Sequence, residues 1–77
     1  MAIEALEEAL VAEPNDGLVH YNLACYWSLA NNKRQALSYL AKAIDLKDRY
    51  RAMVMDEPDF DPIRDDPAFQ ALVRVTV

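Results

Sequence analysis

Residues 17–46, GLVHYNLACYWSLANNKRQALSYLAKAIDL, contain two helix-forming stretches joined by an Asn-Asn pair. Alanine, leucine, lysine and arginine favour helices, and the only glycine of the chain stands at the start of this segment. Asn31-Asn32 favours a break, because asparagine tolerates left-handed backbone and competes for backbone hydrogen bonds. We therefore predict helices over about 17–30 and 33–46, and the short connection makes them an antiparallel hairpin.

The residues before this hairpin predict another helix. Residues 2–13 repeat alanine and leucine at helical spacing, with glutamates on the other faces. Pro14 follows at once and disfavours helical geometry in the residue before it. Asn15-Asp16 then supplies turn and N-cap chemistry for the helix that starts at Gly17.

The residues after the hairpin predict shorter helices. Residues 49–55 suit a short helix, and two Asp-Pro pairs follow, Asp61-Pro62 and Asp66-Pro67. Aspartate at the N-cap with proline at the first helical position is a helix-start signal. We expect the first pair to open a single turn and the second to open a final helix over about 67–74. The predicted fold class is all-α.

Composition excludes several classes of function. The chain has 77 residues and a formal net charge of −5, which argues against nucleic acid and anionic membrane surfaces as partners. It has no apolar run of the roughly 20 residues that a membrane-spanning helix needs. The first ten residues carry three glutamates and no basic segment, unlike a secretory signal. We expect a cytoplasmic location, and a single cysteine forms no internal disulfide.

The residues that could carry chemistry do not form a recognisable catalytic or metal-binding pattern. His20 and Cys25, the only residues of their types, would lie about 140° apart around a helix. An EF-hand loop starting at Asp59 would place Ile63 and Arg64 where aspartate and glycine are needed. We predict no catalytic, cofactor-binding or metal-binding residue, and we expect the acidic residues near the C-terminus to be N-caps and solvated loop positions.

An internal repeat connects the first and third predicted helices. A shift of 34 residues places Ala2 on Ala36, Leu6 on Leu40 and Ala9 on Ala43. This period is that of tetratricopeptide repeats, in which each unit is a pair of antiparallel helices. The chain resembles that family from Ala2 to Ile44. The matching residues are Leu23, Ala24 and Trp27 on the first helix, Ala36, Leu40 and Ala43 on the second, and Pro14 before them.

Two positions depart from the family pattern, and the tail adds a further likeness. His20 stands where the family has a bulky residue, and Asp48 replaces the next closing proline. We expect His20 to take the place of a packing aromatic. Residues 60–72 resemble the segment that closes many bacterial tetratricopeptide arrays, where a final short helix covers the last repeat.

The resemblance implies a division of the chain. Residues 1–14 correspond to the second helix of a preceding unit, 15–48 to one full repeat and 49–77 to a capping segment. Arrays normally need about three repeats for stability. We therefore expect either that Met1 lies near a truncation point of a longer array or that the chain forms a homo-oligomer through residues 2–13.

The resemblance also implies a binding surface, because the first helix of each unit lines the concave face of the array. The family's ligand-facing positions fall here on Leu18, Tyr21, Asn22, Cys25, Ser28 and Leu29. Asn22 either holds a peptide backbone, as in the family, or is simply a common residue there. We expect Tyr26 and Tyr39 to be packing residues.

The predicted function is a non-catalytic module that binds a peptide or helix segment of another protein. The groove lacks the basic residues that grip a carboxylate in some members, so an apolar segment fits better, with basic residues reaching the acidic residues 56–61. The alternative is a structural role, as the C-terminal cap of a longer regulatory protein or as a self-associating scaffold.

Overall fold

A computed structural model describes residues 2–74, and these residues form five α-helices and one 3₁₀ helix. The elements are α1 (Ala2–Ala12), α2 (Gly17–Leu29), α3 (Lys33–Leu46), α4 (Arg49–Met55), a 3₁₀ helix (Pro58–Ile63) and α5 (Pro67–Val73). Residues 2–74 contain no strand, which confirms the all-α fold class.

Side-chain caps fix the helix boundaries of the hairpin. Asp16 accepts hydrogen bonds from the backbone N–H groups of Leu18 and Val19, at 3.1 and 3.3 Å, and so starts α2. Asn31 has a left-handed φ of 61° and ends the turn after α2, while Asn32 caps α3. The predicted break at Asn31-Asn32 and the predicted N-cap before Gly17 are confirmed, because both depend on local chemistry.

The hairpin of α2 and α3 forms the centre of the core. Its fully buried residues include Leu23, Ala24, Ala36, Leu40 and Ala43. The three alanines let the helix axes approach closely, and the leucines fill the space between them. The burial expected for these positions is confirmed.

His20 lies buried on α2 and packs as an aromatic residue. Its ring centroid is 6.0 Å from that of Tyr39, as expected for a residue that replaces a packing aromatic. Its Nε2 lies 2.8 Å from the carbonyl oxygen of Pro14. Because a carbonyl only accepts, Nε2 carries the proton and donates it.

The 3₁₀ helix begins earlier than the sequence predicts. Glu57 is its N-cap and accepts a hydrogen bond from the N–H of Asp59 at 3.3 Å, with Pro58 in the first position. The prediction that Asp61-Pro62 opens this turn is therefore wrong, since Pro62 lies inside the element. The second prediction is confirmed: Asp66 caps α5 by accepting from the next two free N–H groups.

A close approach between α2 and α4 requires the glycine at position 17. A Cβ atom on Gly17 would lie 3.0 Å from Cε2 of Tyr50, tighter than an unstrained contact. The Tyr50 ring in turn stacks on Tyr21, with centroids 5.1 Å apart. The start of the hairpin thereby contacts α4 through one aromatic ring.

Helix α1 packs chiefly against α2 and lies at the edge of the molecule. Leu6 and Ala9 are half-buried there, whereas Val11 is 85% exposed. The hydroxyl of Tyr39 donates to the carboxylate of Glu7 at 3.2 Å, which links α1 to α3. The apolar residues of α1 are therefore less buried than those at the centre of the hairpin.

Candidate functional site

The six residues predicted to bind a peptide separate into two groups in the structure. Leu18 and Leu29 are 53% and 51% exposed, and Asn22 is half-buried. The other three, Tyr21, Cys25 and Ser28, are buried. The structure therefore brings only one half of the predicted set to an accessible surface.

The accessible residues form a row along α2. Helical geometry places Leu18, Asn22 and Leu29 within about 40° of one another around the axis. Tyr26 lies about 40° further round and is 42% exposed. The expectation that Tyr26 packs in the core is wrong, and this residue joins the others. We call these four residues, Leu18, Asn22, Tyr26 and Leu29, the α2 stripe; it spans about 16 Å.

Of the buried group, Tyr21 and Cys25 lie against the 3₁₀ helix and its N-cap. The ring of Tyr21 meets that of Phe60 edge-on, with centroids 5.8 Å apart. Burial raises the pKa of Tyr21 above its usual range, and the nearby charges of Cys25, Glu57 and Asp59 add to the effect. Binding by Tyr21 stays a prediction, and it would need residues 58–63 to move away.

Cys25 faces two carboxylates across the boundary between α2 and the 3₁₀ helix. Its Sγ atom and one carboxylate oxygen each of Glu57 and Asp59 lie within 4.8 Å of one another. Burial, and after it the negative charges of Glu57 and Asp59, raise the pKa of the Cys25 thiol to about 12. The thiol is therefore protonated near neutral pH, whereas nucleophilic attack and metal binding require the thiolate.

The structure gives His20 and Cys25 different polar neighbours. His20 donates to the Pro14 carbonyl, and its Nδ1 is buried with no hydrogen-bond partner among the described residues. Cys25 faces Glu57 and Asp59 instead. The chemistry available at Cys25 is thus that of a thiol between acidic groups, without an imidazole base beside it.

A concave surface, which the sequence did not indicate, lies between α4 and α5. It is an apolar groove of about 640 Å³. Its lining includes Arg49, Arg51, Ala52, Met55, Val73 and Arg74. Arg51 donates to the carbonyl oxygens of Leu72 and Arg74, at 2.9 and 2.8 Å, and thereby holds the end of α5 against α4. Helical periodicity in the sequence does not predict this groove, because the shape of the groove depends on how α4 and α5 cross.

No described helix has both the length and the apolar character needed to cross a membrane. No protein-family model, no curated protein and no solved structure matches the chain.

Proposed function

We propose that this chain is a non-catalytic interaction module of tetratricopeptide type that binds a peptide or helix of another protein along the α2 stripe. The observation that carries the proposal is the row of exposed side chains, Leu18, Tyr26 and Leu29, on one face of α2. A single exposed leucine is ordinary on a protein surface. Several large apolar residues aligned over three turns are typical of a docking surface.

The hairpin supports the family part of the proposal. Ala24, Ala36 and Ala43 are fully buried between large apolar residues, the arrangement that the resemblance implies for one repeat. Helix α2 corresponds to the first helix of that repeat, which lines the concave face in this family. Three of the four residues of the α2 stripe, Leu18, Asn22 and Leu29, are among the positions at which the resemblance implies that a partner binds.

The chemistry of the α2 stripe suits an apolar helix or extended segment. Leu18 and Leu29 stand near its two ends and offer contacts to apolar side chains. The Asn22 amide stands between them and can both donate to and accept from a peptide backbone. Tyr21 is locked beneath by Tyr50 and Phe60, so α2 is held in place before the partner arrives. Such preorganisation lowers the entropy lost on binding.

The test uses peptides of about 15 residues, long enough to cover the α2 stripe, selected from a displayed random library against the 77-residue chain. The double variant Leu18→Ala/Leu29→Ala is expected to bind the selected peptides at least about tenfold more weakly, because each leucine buries apolar area in the complex. Fluorescence anisotropy measures the affinity, and circular dichroism checks that the variant remains folded.

Val11→Ala serves as the matched control for this test. Val11 is equally apolar and still more exposed, but it belongs to α1 and not to α2. We expect its affinity for the selected peptides to equal that of the native chain. Unchanged affinity in the double variant, or an equal loss in Val11→Ala, would overturn the proposal.

A structural role is the second candidate, and α1 is the observation that favours it. Its apolar side chains are only half-buried and Val11 stands exposed, so the edge can accept another helix from a longer array or a second copy. Sedimentation of the purified chain tests self-association through residues 2–13, which Val11→Glu would abolish.

For either role we propose the cytoplasm, where an unpaired thiol such as that of Cys25 is usual.

A further inference from the structure

Two carboxylates border the α2 stripe. Those of Glu57 and Asp59 are half-buried and, with the Cys25 thiol, lie within 4.8 Å of one another. Cys25 is one helical turn from both Asn22 and Leu29, and residues so spaced are neighbours on the helix surface. The acidic pair therefore lies at the edge of the surface on which the partner is proposed to bind.

Neither carboxylate has a cationic partner among residues 2–74. The ion pairs there are Lys33–Asp66, Arg51–Asp48 and Arg64–Asp61. Arg64 comes close to the pair, yet its guanidinium donates to the backbone carbonyls of Val54 and Glu57. The Arg64 guanidinium is thus committed to other oxygen atoms.

The two carboxylates differ in what the fold requires of them. Glu57 caps the 3₁₀ helix by accepting from the N–H of Asp59. The side chain of Asp59 makes no hydrogen bond with the described residues, although it is half-buried. Two negative charges so close together repel each other, and a cation between them would relieve that repulsion. No side-chain hydrogen bond or ion pair among the described residues therefore stabilises the charge of Asp59.

We infer, on the basis of the function proposed above, that the partner is a basic amphipathic segment that places a lysine or arginine side chain against Glu57 and Asp59. Its apolar side chains cover Leu18, Tyr26 and Leu29. The net charge of −5 adds a longer-range attraction for such a segment. Glu57 and Asp59 would then bind one cationic side chain at a fixed position beside the α2 stripe.

A divalent metal ion is the competing occupant of this cluster, and the chemistry favours it less. A thiol ligand must lose its proton to bind zinc, and Cys25 is held in the protonated state by burial and by the two carboxylates. A lysine or arginine needs no such ionisation. It also matches the two acidic oxygens without a third ligand.

The experiment selects peptides of about 15 residues from a displayed random library against the native 77-residue chain and measures their affinity for variants at low and high salt. We expect the selected peptides to combine apolar residues with lysine or arginine. Asp59→Asn should weaken their binding about tenfold and reduce its salt dependence. Asp45→Asn is the matched control, since it removes the same charge from an exposed site on α3 and should leave binding unchanged.

The outcomes separate this inference from the proposed function. Peptides that depend on Leu29 but carry no basic residue, or that bind Asp59→Asn as tightly as the native chain, overturn the inference alone. A selection that yields no peptide, or only peptides indifferent to Leu29→Ala, overturns both. Zinc chloride is added separately in a thermal unfolding experiment. A zinc-dependent stabilisation that Cys25→Ala removes would assign the cluster to a metal ion and overturn the basic partner.

Discussion

Helices α1 and α3 carry the same apolar pattern but reach different degrees of burial. Leu6 and Ala9 in α1 correspond to Leu40 and Ala43 in α3. The α3 residues are fully buried, because α3 contacts α2, α4 and α5. Their counterparts in α1 are half-buried, because α1 packs chiefly on α2. The same side chains thus stabilise the fold by different amounts, depending on how many helices surround them.

Exchanging the paired leucines for alanine tests this comparison with the largest expected effect. Leu40→Ala should lower the free energy of unfolding by about 2–5 kcal/mol, because it leaves a cavity in the core. Leu6→Ala should lower it by only about 1 kcal/mol, since part of that side chain is already in water. Urea unfolding followed by circular dichroism measures both. Equal losses would mean that α1 is as completely packed as α3.

Enlarging the paired alanines tests the same comparison from the opposite direction. Ala43→Leu should cost about 1–3 kcal/mol, because the close contact between α2 and α3 leaves no room for the larger side chain. Ala9→Leu should be nearly neutral, since its surroundings are partly open. Thermal unfolding compares the two variants. A strong destabilisation by Ala9→Leu would contradict the description of α1 as an open edge.

Alkaline pH should lower the free energy of unfolding, and this is the smallest of the three expected effects. In the unfolded chain the Cys25 thiol ionises near its ordinary pKa, whereas in the folded protein its pKa is about 12. The unfolded state therefore loses its proton first, so the stabilisation is complete below about pH 9 and is lost as pH rises towards 12. The loss should be roughly 1 kcal/mol by pH 10.

Cys25→Ala isolates this contribution. Its unfolding free energy should fall less steeply than that of the native chain between about pH 9 and pH 12. Urea unfolding at a series of pH values measures both slopes. Identical slopes would show that ionisation of Cys25 does not control alkaline stability.

Most helix boundaries could be predicted from the sequence, because local side chains set them. Asp16, Asn32 and Asp66 each accept from the N–H groups of the turn that follows, and the helices start where these residues indicate. The sequence predicts too late a start for the 3₁₀ helix, because the actual N-cap of this helix is Glu57. Glutamate is not among the preferred N-cap residues, so its role was not visible in the sequence.

The candidate site was only partly predictable. Helical spacing identifies which residues share a face of α2, but it does not say which face a distant segment will cover. The 3₁₀ helix lies over Tyr21 and leaves Tyr26 exposed, and this depends on the path of the chain after α4. The same holds for Cys25 and Asp59, which are far apart in sequence and become neighbours only in the folded chain.

The contact between Gly17 and Tyr50 restricts how this chain can be used in protein engineering. A Cβ at position 17 would lie only 3.0 Å from the Tyr50 ring, so a larger residue there requires the ring to shift by a few tenths of an ångström. A designer who transplants the hairpin into a consensus array must transfer both residues or replace both. Exchanging the glycine alone would crowd the Tyr50 ring against Tyr21 and so disturb the contact between the hairpin and α4.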